Sequence, residues 1–338
     1  MSASHSTPGP LTPSRPRLAP QAGPAAWRAA DLRPADWMIP LGSEAAAEIE
    51  AVLASLGSRA PRGAAEAPLP RLGSVLRQAA TRLATGHGFA LLRGLSLDRI
   101  GEAQAEALLL VLGAHLGRPV PQGPSGEAVQ RVTSPMTGVS RWRFHADAAD
   151  VVALLTRRQP PEMDPAMLVA AASVHNEMLK RDRAALERLY APLPHLLRSG
   201  PGIVASAVDL PVFSTASGAF IGRYARDAIE AAQRLPETPR LTAAQVEALD
   251  LLDAICAEPG LALRLDLRPG DVLLFNPLLV WKRRAELPAG EAGAEPDAMQ
   301  RSALRLLLVT PTSRALPGGM TAVGEGPAAG TPGGMVGG

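Results

Sequence analysis

The apolar residues of this chain come mostly in short runs punctuated by glycine and proline. Gly88-Phe89-Ala90-Leu91-Leu92-Arg93-Gly94 is one such run, closed by glycine at both ends. Runs of this length between turn formers predict buried strands, not helices. By the same signals, strands are expected at 150–156, 167–173, 211–214, 219–224, 261–267, 272–276 and 302–310. Ser217-Gly218 and Arg268-Pro269-Gly270-Asp271 are expected as turns. Between them lie helical patterns with their own start and stop signals. Ser43 is read as the cap of a helix through Leu56, ended by Gly57, and a second helix spans Leu72 to Thr85. Residues 101–116 form a strongly apolar helix, and Asp182 caps one from Arg183 to Tyr190. Thr242-Ala243-Ala244-Gln245 is a capping box that opens a helix reaching Cys256. Many short strands flanked by helices predict a mainly β, α+β fold with a β-sandwich or jelly-roll core. A doubly wound parallel sheet does not fit that order.

At 338 residues the chain suits one large domain or two small ones. Residues 1–24, rich in Ser, Pro and Ala, and the Pro/Gly-rich residues 311–338 lack apolar periodicity and are expected to be disordered tails. That leaves residues 25–310 as the folded domain. The formal net charge of +2 implies neither nucleic acid nor an anionic membrane as partner. The single cysteine, Cys256, excludes an intrachain disulfide and a Cys-based zinc cluster, and reads as a small core residue. No apolar run approaches the ~20 residues that span a bilayer, and the N-terminus lacks a hydrophobic signal core. A cytoplasmic protein is the expectation.

Phe144-His145-Ala146-Asp147 carries the chemistry. In an extended segment, side chains two positions apart lie on one face, so His145 and Asp147 can reach one metal ion. A borderline divalent metal accepts imidazole plus carboxylate, and two histidines with one carboxylate leave positions open for substrate and oxygen. A His-x-Asp pair alone is weak evidence, since it occurs often by chance and is more commonly a polar surface pair.

The order of motifs resembles the TauD/TfdA-like family of Fe(II)/2-oxoglutarate-dependent dioxygenases. The motifs are the Gly-Phe-Ala-Leu-Leu-Arg-Gly strand, Phe-His-x-Asp, Ser173-Val174-His175-Asn176-Glu177-Met178, Leu267-Arg268-Pro269-Gly270-Asp271 and a late arginine pair. Pro211-Val212-Phe213-Ser214 and Arg223-Tyr224 add to it. The resemblance covers roughly residues 70–310 and implies a double-stranded β-helix (jelly-roll) core with Fe(II) as cofactor and 2-oxoglutarate as co-substrate. It also implies hydroxylation of a small-molecule substrate coupled to decarboxylation of 2-oxoglutarate to succinate and CO2. His145 and Asp147 match the first two metal ligands. Arg301 matches the arginine that pairs with the far carboxylate of 2-oxoglutarate, and Arg305 matches a second arginine lining the pocket. A guanidinium is a planar, permanently charged fork suited to a carboxylate, and an extended 301–305 would aim both arginines to one face.

The sequence departs from the family at the distal ligand. Alignment through Arg268-Pro269-Gly270-Asp271 puts Lys282 where the distal histidine belongs, and no histidine follows His195. His5 lies in the tail, His87 and His115 at element ends, His175 at a helix start in a structural role, and His195 in a loop. Residues 161–165 stand where a Gly-Gly turn is usual. A lysine ligates only as the neutral amine, which at pH 7 costs about 4.6 kcal/mol. Alternatively the Lys282 ammonium pairs with Asp147 and replaces the metal. Two further readings therefore accompany the oxygenase: a catalytically degenerate member that binds a small carboxylate or a protein, and metal-independent chemistry with Lys282 as acid, base or Schiff-base amine. Homo-oligomerisation is left open.

Overall fold

A computed structural model of the chain describes residues 18–57, 59–97, 100–122, 126–133, 143–160, 165–198, 206–216, 218–283, 301–310 and 334–335. In chain order the strands are β1 (Met38–Pro40), β2 (Phe89–Arg93), β3 (Arg118–Pro119), β4 (Val129–Thr133), β5 (Phe144–His145), β6 (Val151–Arg158), β7 (Ala166–Ala170) and β8 (Leu193–Arg198). They continue with β9 (Ser206–Leu210), β10 (Phe213–Ala216), β11 (Ala219–Gly222), β12 (Leu263–Leu265), β13 (Val272–Phe275), β14 (Val280–Arg283), β15 (Ser302–Val309) and β16 (Gly334–Met335). The helices are α1 (Pro34–Trp37), α2 (Ser43–Leu56), α3 (Leu72–Thr85), α4 (Glu102–Ala114), α5 (Ala171–Arg181), α6 (Arg183–Tyr190), α7 (Arg226–Ala232) and α8 (Ala243–Cys256).

Two sheets build the core. The larger runs β1-β2-β13-β6-β15-β3 with β4 also on β15, and the smaller runs β12-β7-β14-β5. Their facing surfaces share one apolar cluster, to which β6 gives Val152 and Leu154, β7 gives Leu168 and Ala170, β13 gives Leu273 and Phe275, and β14 gives Val280. The period of two sends the alternate residues outward. Val151, Ala153 and Leu155 of β6, with Leu304, Leu306 and Leu308 of β15, pack under α2, α3 and α4. Val169 of β7, Phe144 of β5 and Trp281 of β14 pack against α5, α6 and α8. This is the jelly-roll arrangement expected from the short strands, with helices outside both sheets.

Local chemistry explains the element ends. Asp182 Oδ1 accepts from Ala185 N at 2.9 Å and starts α6, and Thr242 with Gln245 forms the capping box of α8. At the 268–271 turn, Gly270 has φ +89°, and a Cβ there would lie 1.9 Å from the Leu95 carbonyl oxygen, so only glycine fits. Beside it the buried Asp271 accepts from Arg93 Nε and Nη2 at 3.0 and 2.7 Å and locks the turn to β2.

Several expectations are corrected. Helix α2 begins at Ser43, but Gly42 is its cap and no side chain caps it. The strand expected at 167–173 ends at Ala170; Ser173 lies within α5, where its hydroxyl donates to the Trp27 carbonyl at 2.6 Å. His195 lies in β8 and not in a loop. Part of the expected N-terminal tail is packed: Leu18 is buried, and Gln21 exchanges two backbone hydrogen bonds with the Asn176 amide. Residues 1–17, 161–164 and 311–333 lie outside the described residues, while Gly334–Met335 pairs with Leu197–Arg198 of β8. Cys256 is buried and free, as expected of a core residue. Among the described residues no helix is long and apolar enough to cross a membrane.

Candidate active site

The sheet parity fixes where the sequence-predicted residues point. Phe144 faces the helices, so its neighbour His145 faces the space between the sheets. Trp281 faces the helices as well, so Lys282 faces inward, as does Val280 two residues before it. In the antiparallel pairing of β5 with β14, Lys282 is the direct partner of His145. Directly opposed residues carry Cβ atoms about 4.5–5.5 Å apart, so the two side chains start side by side on one face. On β15, Arg305 shares the inward face of Leu307, and Arg301 immediately precedes the strand.

Asp147 is buried, 6% exposed, and its carboxylate accepts from Arg305 Nη1 at 2.9 Å. Arg305 is fully engaged: Nε donates to Gln122 Oε1 at 3.0 Å and Nη2 to Gln130 Oε1 at 2.5 Å. Gln122 in turn donates to the Ala128 and Arg305 carbonyls. The later arginine of the expected pair is thus a fixed partner of the Asp147 carboxylate. Arg301 differs. It is 6% exposed, its Nε has no hydrogen-bond partner, and burial pushes its guanidinium down to about 10. A buried guanidinium without an acid is costly, and a ligand carboxylate would offset that cost.

From outside, the 144–147 segment is held by a second network. Ala146 N donates to the Tyr224 carbonyl at 2.7 Å. Tyr224 is fully buried and its hydroxyl donates to Asp253 at 2.5 Å; burial first, then the Asp253 charge, raises its pKa well above the usual phenol value. Arg143, two residues before His145, pairs with Asp227, Glu230 and Asp253. These residues position the motif without facing the interior.

His175 and His115 are structural in their contacts. His175 is buried, accepts or donates with the Tyr190 hydroxyl at 2.9 Å, and stands edge-on to Phe213 and Phe220. His115 Nε2 lies 2.7 Å from the Ala67 carbonyl. Among the described residues no cluster of three His, Cys, Asp or Glu side chains stands ready for a metal. The donors present are therefore one imidazole, one carboxylate and the Lys282 amine. The first two fit a borderline divalent ion, and the third fits only when deprotonated.

Sequence reasoning found His145, Asp147, Lys282, Arg301 and Arg305 but not Gln122 and Gln130. Neither carries a signal in the sequence, since Gln122 precedes Gly123 and Gln130 precedes Arg131; Gln130 meets Arg305 only because β4 pairs with β15.

Comparison with known proteins agrees with this architecture. Residues 54–302 match the model of the taurine catabolism dioxygenase TauD, TfdA family. FR-33289 synthase of Streptomyces rubellomurinus is 26% identical over 269 residues, which span 74% of this chain and 77% of that protein. Among solved structures, asparagine oxygenase in complex with Fe(II), 2S,3S-3-hydroxyasparagine and succinate superposes with a TM-score of 0.59 at 21% identity. That match covers 81% of this chain and 94% of the other. The non-heme iron oxygenase OrfP with Fe and alpha-ketoglutaric acid gives 0.58 at 18% identity, covering 81% and 93%. The chain belongs to the TauD/TfdA family of Fe(II)/2-oxoglutarate-dependent dioxygenases.

Proposed function

We propose that the chain is a cytoplasmic oxygenase that uses His145 and Asp147 to hold Fe(II), Arg301 to take the far carboxylate of 2-oxoglutarate, and the space between the sheets to receive a small molecule. The observation that carries this is the pairing of an inward His145/Asp147 motif with a buried Arg301 whose Nε has no hydrogen-bond partner among the described residues. When bound, Fe(II) with 2-oxoglutarate supplies the oxidising chemistry, coupling decarboxylation to hydroxylation. The chain's own residues bind, orient and exclude water. Arg305 fixes the Asp147 carboxylate, Gln122 and Gln130 fix Arg305, and the apolar cluster between the sheets keeps water out. Arg301 and Arg305, both permanently charged, stand with the Asp147 carboxylate, a balance suited to an anionic co-substrate.

Lys282 stands in the third ligand place, where coordination requires the neutral amine at about 4.6 kcal/mol. Iron affinity is therefore expected to rise at least tenfold in Lys282→His. Succinate formation from 2-oxoglutarate, measured with and without Fe(II), tests the reading. Iron-dependent succinate that disappears in Asp147→Ala and in Arg301→Ala is the expected result. Turnover indifferent to iron, or to both substitutions, would overturn it.

A further inference from the structure

A second buried cation stands near the motif. The β10–β11 hairpin lies against the end of β14: Gly222 N donates to the Leu278 carbonyl at 2.9 Å and Trp281 Nε1 to the Gly222 carbonyl at 3.2 Å. One face of the hairpin sends Phe213, Phe220 and Tyr224 into the helical core. The other face carries Ser214, Ile221 and Arg223, by the period of two and by the Arg223 N to Val212 carbonyl bond of 2.7 Å. Ile221 on that face packs with Leu278 and with Ala148, the residue after Asp147. This face therefore borders the segment that carries the metal ligands.

Four buried polar atoms here have no hydrogen-bond partner among the described residues: Arg223 Nε and Nη2, Ser214 Oγ and His195 Nε2. Arg223 is 3% exposed, Ser214 8% and His195 0%. Burial alone pushes the Arg223 guanidinium down, to about 10, with no acid counteracting it. Arg226, three residues on and 6% exposed, meets Glu230, Asp250 and Asp253. Water can satisfy hydrogen bonds at Arg223, but it leaves the buried charge uncompensated. His195 adds directionality. Its Nδ1 lies 2.8 Å from the Leu193 carbonyl, which fixes the proton there and leaves Nε2 as an acceptor, in a ring held neutral by burial and by the Arg223 charge.

We infer that Arg223 and Ser214 form the subsite for an oxyanion on the substrate, a carboxylate, phosphonate or phosphate, while His195 Nε2 accepts from an N–H or O–H of the same molecule. This rests on the oxygenase reading only in calling the ligand a substrate. The site takes an anion distinct from 2-oxoglutarate, since Arg301 is the separate cation assigned to that molecule.

The test uses metal-free full-length protein and measures thermal stabilisation by N-acetylglycine and by methylphosphonate. Running it in wild type and in Arg301→Ala removes the other unpaired arginine. Saturable stabilisation is expected in both, and its loss is expected in Arg223→Met while 2-oxoglutarate still stabilises that variant. Ser214→Ala is expected to weaken binding by about tenfold. Whichever probe binds tighter names the head group. Should Arg223→Met not fold, Arg223→Lys keeps the charge and loses the fork, and at least fivefold weaker binding is expected. Undiminished stabilisation in the Arg223 variant that folds, or none by either probe in Arg301→Ala, overturns the assignment. No metal or turnover enters the measurement, so failure of the oxygenase reading would show separately, as absent succinate with anion binding intact.

Discussion

Asp147 and Arg305 make the most consequential pair at the scale of single residues. With side chains 6% and 19% exposed, neither is well solvated. Removing one partner leaves the other charge buried, a loss that runs to several kcal/mol. In metal-free protein, Arg305→Met is expected to cost about 3 kcal/mol in chemical denaturation. Adding Asp147→Asn should restore more than half of that loss. A single-variant cost below about 1 kcal/mol would show the pair to be solvent-like. His195 gives a pH signature. Burial lowers its pKa from 6.5 to about 4, so the unfolded chain binds its proton first as pH falls. Stability contributed by the neutral ring is then complete above pH 6.5 and is lost progressively towards pH 4, by about 3 kcal/mol in all. Burial shifts His175 the same way, and the nearby Arg223 charge acts with burial on His195. His195→Asn should flatten the acid side of a stability–pH curve; an unchanged slope would mean the ring is protonated when folded.

At the scale of elements, β14 matters most, because it presents Lys282 to His145 on one face and Trp281 to the helices on the other. Gly222 sets its seat. A Cβ there would fall 2.6 Å from Ala171 Cβ and 3.1 Å from the Trp281 ring. Gly222→Ala should therefore cost about 1–3 kcal/mol through overpacking and weaken iron binding, as β14 shifts against β5. Loss of stability with iron binding intact would separate the hairpin from the site. Elements with strong local signals were readable in advance. Leu72–Thr85 and Arg183–Tyr190 carry their own amphipathic pattern or cap, and the helix closed by Cys256 opens on its capping box. Strands β8 and β9 were not. Leu193–Arg198 contains Pro194 and His195, and Ser206–Leu210 is largely exposed, so neither shows an alternating apolar pattern; they exist by pairing with each other. The strand expected over 167–173 stops at Ala170 because the switch to helix at Ala171 depends on tertiary contacts of Ser173 and Ala171, not on propensity.

Across the whole molecule, the site is assembled from segments far apart in sequence. His145 comes from β5, Lys282 from β14 and Arg305 from β15, and the two sheets bring them together. The His-x-Asp motif and the late arginines could be found in the sequence because their chemistry is local. The division of labour between the arginines could not, since Arg305 is committed to Asp147 while Arg301 has an unpartnered Nε. Nor could a binding role for Arg223, a residue of the Arg223-Tyr224 motif, because its neighbours Ser214 and His195 arrive by hairpin and sheet pairing. The central claim, that His145 and Asp147 hold Fe(II) with 2-oxoglutarate despite lysine in the third place, is tested most directly by anaerobic titration with both ligands while the visible charge-transfer band of the chelate is followed. Stoichiometric growth of the band, lost in Asp147→Ala and tightened in Lys282→His, is the predicted result. Absence of the band while 2-oxoglutarate still stabilises the fold would contradict the claim and make the chain a carboxylate binder.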